Sequence, residues 1–234
     1  SIFKKLDEDP FFEHILVHTG QHYDLMLSEI FFEDLKIREP DYNLEIGTKC
    51  KNHVEQQALL GPQIINLIER RNLNPDIVLF LGDSNSVLAS IPLKKEGFKI
   101  GHIEAGMRSY DNRMLEEINR KVCDHVSDLL FVYHENYKEK ALNEGIPSKS
   151  IFVIGNTIVE PLSAVNNCLP KQSPEHIIMD IHRPENFNDK ERMIKIIDFA
   201  NYCISSTGFP VKMLNFQRTM NKINEFGLDL GMIA

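Results

Sequence analysis

The chain has 234 residues, 42% of them hydrophobic and 26% charged, with a formal net charge of -8 at pH 7. This composition is that of a globular chain long enough for one large or two modest cores, which excludes disorder as the default state. The acidic balance excludes a broad basic face for nucleic acid, since neutralising phosphates needs clustered Lys and Arg, but a compact anion can still be held by a few local cations.

In chain order, two periodicities alternate. The chain opens on what reads as the end of a helix, Phe3-Lys4-Lys5-Leu6. Glu13 to His18 reads as a strand ending in His18-Thr19-Gly20-Gln21-His22, Leu25 to Leu35 as an amphipathic helix, and Pro40 to Leu44 as a short extended piece. His53 to Asn72 sets Leu59, Leu60, Ile64, Ile65, Leu67 and Ile68 at helical spacing, and Gly61-Pro62 predicts a bend or restart within it. Strand Asp76 to Leu81, helix Ser86 to Glu96, strand Lys99 to Ile103, helix Leu115 to His125, strand Leu129 to Tyr133, helix Glu135 to Glu144 and strand Ile151 to Ile154 follow. This βα alternation predicts a parallel sheet with helices on both faces.

Residues 166–174 contain two prolines and no periodic apolar face, and read as an interdomain linker. Strand His176 to Ile181, helix Asp189 to Cys203 and strand Val211 to Leu214 then restart the pattern. The expected organisation is an α/β domain over 1–165 and a second α/β domain, begun but not completed, over 175–234. Both ends read as interior to a longer protein. Cys50, Cys123, Cys168 and Cys203 form no CxxC pair, which fits reduced cytosolic thiols rather than a disulfide frame or a zinc site. No apolar run approaches the roughly 18 residues of a membrane span and no segment reads as a signal peptide, so a cytoplasmic protein without membrane contact is expected.

Carboxylates gather at the predicted strand ends. The runs Val78-Leu79-Phe80-Leu81-Gly82-Asp83 and Ile100-Gly101-His102-Ile103-Glu104 each pass from apolar strand into an acid. They deliver both acids to the carboxyl edge of a parallel sheet, where open α/β folds build their sites. Asp83 reads equally as the cap of the following helix. Glu104 ends an otherwise apolar strand, where desolvation raises a carboxyl pKa toward the range useful for proton transfer. Glu116 and Glu117 begin a helix and suit its dipole; Glu117, four residues before Lys121, reads as a solvated surface residue, while Glu116 keeps room for an inward role. His182 and Arg183, fixed in a turn by Pro184, supply the positive groups that the acidic first domain lacks. They read either as hydrogen-bonded structure or as a phosphate contact at a cleft. His134 reads as a helix start. A dinuclear metal site drawing on Asp83, His18, His22, His102 and His182 needs a Gly-Asn-His cluster, and the chain has Gly155-Asn156-Thr157 instead, so no metal is expected.

The segments His18-Thr19-Gly20-Gln21-His22-Tyr23-Asp24, Gly82-Asp83-Ser84-Asn85-Ser86, His102-Ile103-Glu104-Ala105-Gly106-Met107-Arg108, Glu116-Glu117-Ile118-Asn119-Arg120, Glu144-Gly145-Ile146, Gly155-Asn156-Thr157 and His182-Arg183-Pro184-Glu185-Asn186 stand in the order and spacing of one family. Over most of its length the chain resembles the non-hydrolysing UDP-N-acetylglucosamine 2-epimerases. The resemblance implies two Rossmann-like domains of the GT-B (glycogen phosphorylase-like) class with a nucleotide sugar between them, as a homodimer. It implies interconversion of UDP-GlcNAc and UDP-ManNAc for surface polysaccharide synthesis, by elimination of UDP to a 2-acetamidoglucal and its re-addition, with neither metal nor NAD. The matching catalytic residues are Asp83, Glu104, Glu116 and His182, and the matching substrate-binding residues Gln21, His22, Arg113, Arg183, Glu185 and Asn186.

The chain also departs from that family. The first strand and its Gly-Thr-Arg-Pro-Glu loop are not in this sequence, nor is the later segment that holds uracil and diphosphate. Phe216 and Gln217 stand where many members have the His and Pro of a His-Pro-Arg motif, as in a branch acting on 6-deoxy sugars such as UDP-2-acetamido-2,6-dideoxy-L-talose. A hydrolysing 2-epimerase, releasing free ManNAc and UDP, and an inactive fragment are the alternatives.

Overall fold

The computed structural model describes residues 2–20, Phe32, 37–166 and 175–234. The expected linker 166–174 lies almost entirely outside them, as do Gln21, His22 and most of the helix expected over Leu25 to Leu35. The chain divides into two compact units, Ser1–Cys168 and Leu169–Ala234.

In the first unit, helix α1 (Ile2–Glu8) leads to β1 (Val17–His18), which pairs in parallel with β2 (Tyr42–Asn43). A short α2 (Ile46–Lys49) precedes α3 (His53–Arg70), whose cap Asn52 accepts from the Glu55 amide at 2.9 Å. Of the bend or restart expected at Gly61-Pro62, the restart does not occur, and α3 runs through Pro62 as one helix. The proline removes one amide donor, but the stripe Leu60, Ile64 and Ile68 is buried on both sides of it, and that burial holds the helix together. Gly61 has a separate purpose. A Cβ there would lie 2.2 Å from Pro92 Cγ, so the missing side chain lets α3 approach its neighbour.

Strands β3 (Val78–Leu81), β4 (Ile100–Ala105), β5 (Leu129–Val132) and β6 (Ile151–Val153) form one parallel sheet in that order. A 3-10 turn over Asn85–Ala89 running into α4 (Ser90–Lys95), then α5 (Leu115–Val126) and α6 (Glu135–Asn143), make the crossovers, and α7 (Val159–Asn166) follows β6. Ile46, Leu60, Val87, Leu93, Ile100 and Cys123 pack into one core. A second cluster, Ala105, Leu130, Val132, Ala141, Ile146 and Ile151, lies under α6.

The second unit pairs β7 (Ile177–Met179) in parallel with β8 (Val211–Met213). Between them run a short α8 (Pro184–Phe187) and α9 (Lys190–Thr207), the latter capped by Asp189, which accepts from the Arg192 amide at 3.1 Å. Helix α10 (Gln217–Phe226) follows β8. Ile181, Phe187, Met193 and Ile223 form one side of its core, and Ile197, Ala200 and Val211 another.

Candidate active site

The turns that follow β3 and β4 converge at one rim. Leu81 is in register with Ile103, and the Gly82 amide donates to the Ile103 carbonyl at 3.1 Å, which sets Gly82 beside Glu104. The register against β5 slips between Ile103 and Ala105, and Glu104 adopts φ 75°. A side chain in that left-handed region costs on the order of 1 kcal/mol or more and persists because its surroundings fix it. Here Ile103 and Ala105 are buried on either side. The irregularity re-aims the carboxyl out of the strand's alternation, as bulges beside active sites do. Its Oε2 comes to rest 3.6 Å from where a Cβ on Gly82 would stand. Glu104 is half-buried, and loss of solvent raises its pKa; the Asp83 charge adds to this, against the opposing fields of Arg120 and His102.

Asp83 does not cap the following helix. The cap position is Ser84, which makes no side-chain cap bond, and the Asp83 carboxylate instead faces α5. Arg120 Nε and one terminal nitrogen both donate to its Oδ2, at 2.9 and 2.5 Å. Asn119 Nδ2 donates to the Asp83 carbonyl at 2.9 Å. The next residues are tied as well, Asn85 to Gln56 and His53, and Ser86 to Thr19 in the loop after β1. A short polar net therefore fixes the turn that carries Asp83.

Glu117 is not the solvated residue its spacing suggested. Its side chain is fully buried, accepting from the Ser109 amide at 2.8 Å, the Ser109 hydroxyl at 3.0 Å and the Tyr110 amide at 3.2 Å. Arg120 and Lys121 stand 3.5 and 3.4 Å away. Burial opposes its charge, but the Ser109 and Tyr110 bonds and the Lys121 ammonium outweigh it and hold the carboxyl at about 2. The loop after β4 is thus strapped to the first turn of α5, on which Glu116 itself stands exposed. Arg113 is exposed on that loop and paired with Asp111 at 2.8 Å.

A buried ion cluster lies behind the rim. His102 Nδ1 donates to Asp124 at 2.6 Å and Nε2 to the Gly82 carbonyl at 2.8 Å, so both ring nitrogens carry protons. Burial opposes that charge, and the contact with Asp124 overrides it, pushing His102 up to about 10. Asp124 also accepts from the Gly106 amide at 3.0 Å and pairs with Arg108 at 2.7 Å, while Arg108 grips Glu144 at 2.6 and 2.8 Å. Two cations and two anions balance in a closed set. With both nitrogens engaged, His102 is structural, and it pins the end of β3 to β4 and α5. Gly106, at φ 75°, is required by a close approach, since a Cβ there would meet the Tyr137 carbonyl at 2.6 Å.

Arg120, Asp124, Tyr133 and Thr157 are members of this neighbourhood that motif reading alone did not single out. Tyr133 donates to or accepts from Thr157 at 2.8 Å; burial raises its pKa, and the Glu104 charge adds to the rise. The signal for Glu117, Arg120 and Asp124 was available, because residues at i, i+3 and i+7 share one helix face. His134 caps α6, accepting from the Asn136 amide at 3.2 Å, as a helix-start residue does.

In the second unit, His182 follows β7 and donates from Nδ1 to Asp180 at 2.6 Å, with the Phe216 ring 5.8 Å away. Arg183 caps α8 by position and lies 3.9 Å from Glu185, and the Asn186 amide donates to the Arg183 carbonyl at 2.9 Å. His182 and Arg183 are exposed and Glu185 and Asn186 partly so, a cationic turn at a strand's carboxyl end.

Two acids, one half-desolvated and one held by a guanidinium, thus stand together at the carboxyl edge of a parallel sheet on an α/β scaffold, an arrangement that can carry acid/base chemistry. The chain belongs to the UDP-N-acetylglucosamine 2-epimerase family, whose sequence pattern matches residues 4–225. A UDP-N-acetylglucosamine 2-epimerase of Methanococcus maripaludis is 35% identical over 97% of this chain and 64% of its own length. A UDP-2,3-diacetamido-2,3-dideoxy-D-glucuronate 2-epimerase of Pseudomonas aeruginosa is also 35% identical, over 98% of this chain and 66% of its own. The crystal structure of Methanocaldococcus jannaschii UDP-GlcNAc 2-epimerase in complex with UDP-GlcNAc and UDP superposes with a TM-score of 0.82 at 33% identity, covering 97% of this chain and 64% of that one. The fold is therefore α/β with Rossmann-like units of the GT-B class, and the chain spans about two thirds of the length of these relatives.

Proposed function

We propose that this protein interconverts UDP-N-acetylhexosamines differing at C2, with UDP-GlcNAc and UDP-ManNAc as the first pair, to supply surface polysaccharide synthesis. A carboxylate removes the C2 proton, the C1–O bond breaks with its electron pair leaving on UDP, and a 2-acetamidoglucal with a C1=C2 double bond remains. Re-addition of UDP with a proton delivered to the opposite face of C2 completes the inversion. The steps are proton transfers at C2 and the breaking and remaking of the C1–O bond, with UDP as leaving group and then as nucleophile.

The observation that carries this reading is the meeting of Glu104 and Asp83 at adjacent strand ends. A C2 proton is weakly acidic, and its removal needs a carboxyl of raised pKa, as burial gives Glu104. Asp83, fixed by Arg120, supplies a second acid beside it, and Glu116, exposed at the start of α5, is the third acid of the set. His182 and Arg183, exposed after β7, are the groups for the charge that develops on the departing diphosphate. Gln21, His22, Arg113, Glu185 and Asn186 complete the substrate contacts in this reading, and a cytoplasmic homodimer is part of it. Among the described residues, no helix is long and apolar enough to cross a membrane.

The sugar is a separate question, because the two relatives at 35% identity are described as acting on different hexoses. A test in heavy water covers both. The chain, and a chimaera carrying the flanking segments of the Methanococcus relative, are incubated with UDP-GlcNAc and with the diacetamido uronate, and C2 deuteration is followed by NMR. Deuterium at C2 with UDP still attached supports epimerisation and ranks the sugars; free sugar means hydrolysis. No exchange from either protein with either sugar refutes the proposal.

A further inference from the structure

The pair Asp180 and His182 does more than decorate a strand end. In extended chain, residues i and i+2 face the same side, and the residue between them faces the other. Here the middle residue, Ile181, is buried in the second unit's core, and its carbonyl accepts from the buried hydroxyl of Thr219 on α10. The backbone between Asp180 and His182 is therefore anchored from below, and both side chains stand on the exposed side. Asp180 Oδ1 accepts a hydrogen bond from His182 Nδ1 at 2.6 Å. Phe216, at the start of α10, flanks the imidazole with ring centroids 5.8 Å apart and planes inclined by 57°. The ring is held by a carboxylate at one nitrogen and an aromatic wall beside it.

We propose that Asp180 is a positioning residue for His182: it commits the Nδ1 proton, so that Nε2 is the nitrogen presented to a ligand's phosphate, with Phe216 limiting rotation of the ring. A histidine used on an anion needs this, because the nitrogen bonded to the carboxylate fixes which nitrogen meets the ligand. The inference rests on the reading that gives His182 to the diphosphate. In the imidazolium, Nδ1–H stays with Asp180 while Nε2–H donates to a diphosphate oxygen. In the neutral ring, the remaining proton stays on Nδ1, and Nε2 is free to accept. Phe216 thereby acquires a use in a position where a second histidine would compete for the same carboxylate or anion.

The test has a spectroscopic and a kinetic arm. With the ring ¹⁵N-labelled, His182 in the unmodified chain is expected in the neutral state as the Nδ1–H tautomer, and Asp180→Ala is expected to shift it toward Nε2–H. Both residues are exposed, with side chains 56% and 46% accessible for His182 and Asp180, so the variant should keep the wild-type thermal transition. In the epimerising form, Asp180→Ala should lower kcat by about tenfold or more while leaving KM within about twofold, and should add nothing to His182→Asn. An unchanged tautomer in Asp180→Ala overturns the proposal, and so does an additive effect of the two substitutions. If His182→Asn alone leaves turnover intact, the role given to His182 fails, and the tautomer arm still decides whether Asp180 sets the ring.

Discussion

Replacing Glu117 by glutamine removes a charge while keeping the side chain's size, and the structure fixes what that charge contributes. The folded carboxyl sits at about 2 against an ordinary 4.5. A depression of about 2.5 pH units at about 1.4 kcal/mol each gives about 3.5 kcal/mol of stability near pH 7. The sign follows from the depression: the unfolded chain binds the proton more readily, so the contribution is complete above the unfolded value and is lost as pH falls through the folded one. At about pH 3 it should have shrunk to about 1.4 kcal/mol. Urea denaturation of the wild type and Glu117→Gln at both pH values measures this directly. The chain has no tryptophan, so far-UV circular dichroism is the appropriate signal. The gap between the two proteins should narrow by about 2 kcal/mol on acidification. A gap that stays constant would mean that the loop is held by hydrogen bonding alone and that the buried charge is irrelevant.

Arg120→Met should raise the Glu104 titration further and Asp83→Asn should lower it, since the guanidinium opposes and the carboxylate supports the elevation; ¹³C NMR of the carboxyl reads both, and no movement in either variant would refute the coupling. Asp124→Asn strips the anion shared by His102 and Arg108 and should cost about 3–5 kcal/mol in urea denaturation, because the buried His102 loses its only carboxylate and Arg108 keeps only Glu144. Gly106→Ala forces a Cβ to within 2.6 Å of the Tyr137 carbonyl and should cost clearly more than Gly145→Ala, where φ is 89° but nothing lies within 4 Å. An Ala at Gly145 should lose only about 1–2 kcal/mol, so equal losses at both sites would remove the close-approach argument.

The βα alternation was legible because apolar strands of the sheet are short and bounded by Gly or acid, and the helices between them keep their periodic faces. What failed did so for nameable reasons. Pro62 reads locally as a breaker, but its effect is set by Leu60, Ile64 and Ile68, whose burial depends on residues distant in sequence. Asp83 reads evenly as a cap and as a site acid, and what separates the two is a contact from α5, where Arg120 donates to its carboxylate. Glu117 looked like a surface ion-pair residue because Lys121 lies four residues on; that pair exists at 3.4 Å, but Ser109 and Tyr110 fold back over the same carboxylate and bury it. Local spacing gives the neighbours along a helix. It does not give the loop that returns to cover them. The left-handed backbone at Glu104 is likewise invisible to strand periodicity, since a bulge is a property of the pairing with β5.

Arg120 stands between Asp83 at 2.5 Å and Glu117 at 3.5 Å. One guanidinium thus belongs to two circuits, the acid pair and the strap on the 109–110 backbone. A bound anion that draws Arg120 toward itself must slacken its hold on both carboxylates together. The Ser109 and Tyr110 amides then become natural reporters of occupancy, and their hydrogen-exchange rates should register a ligand that never touches them.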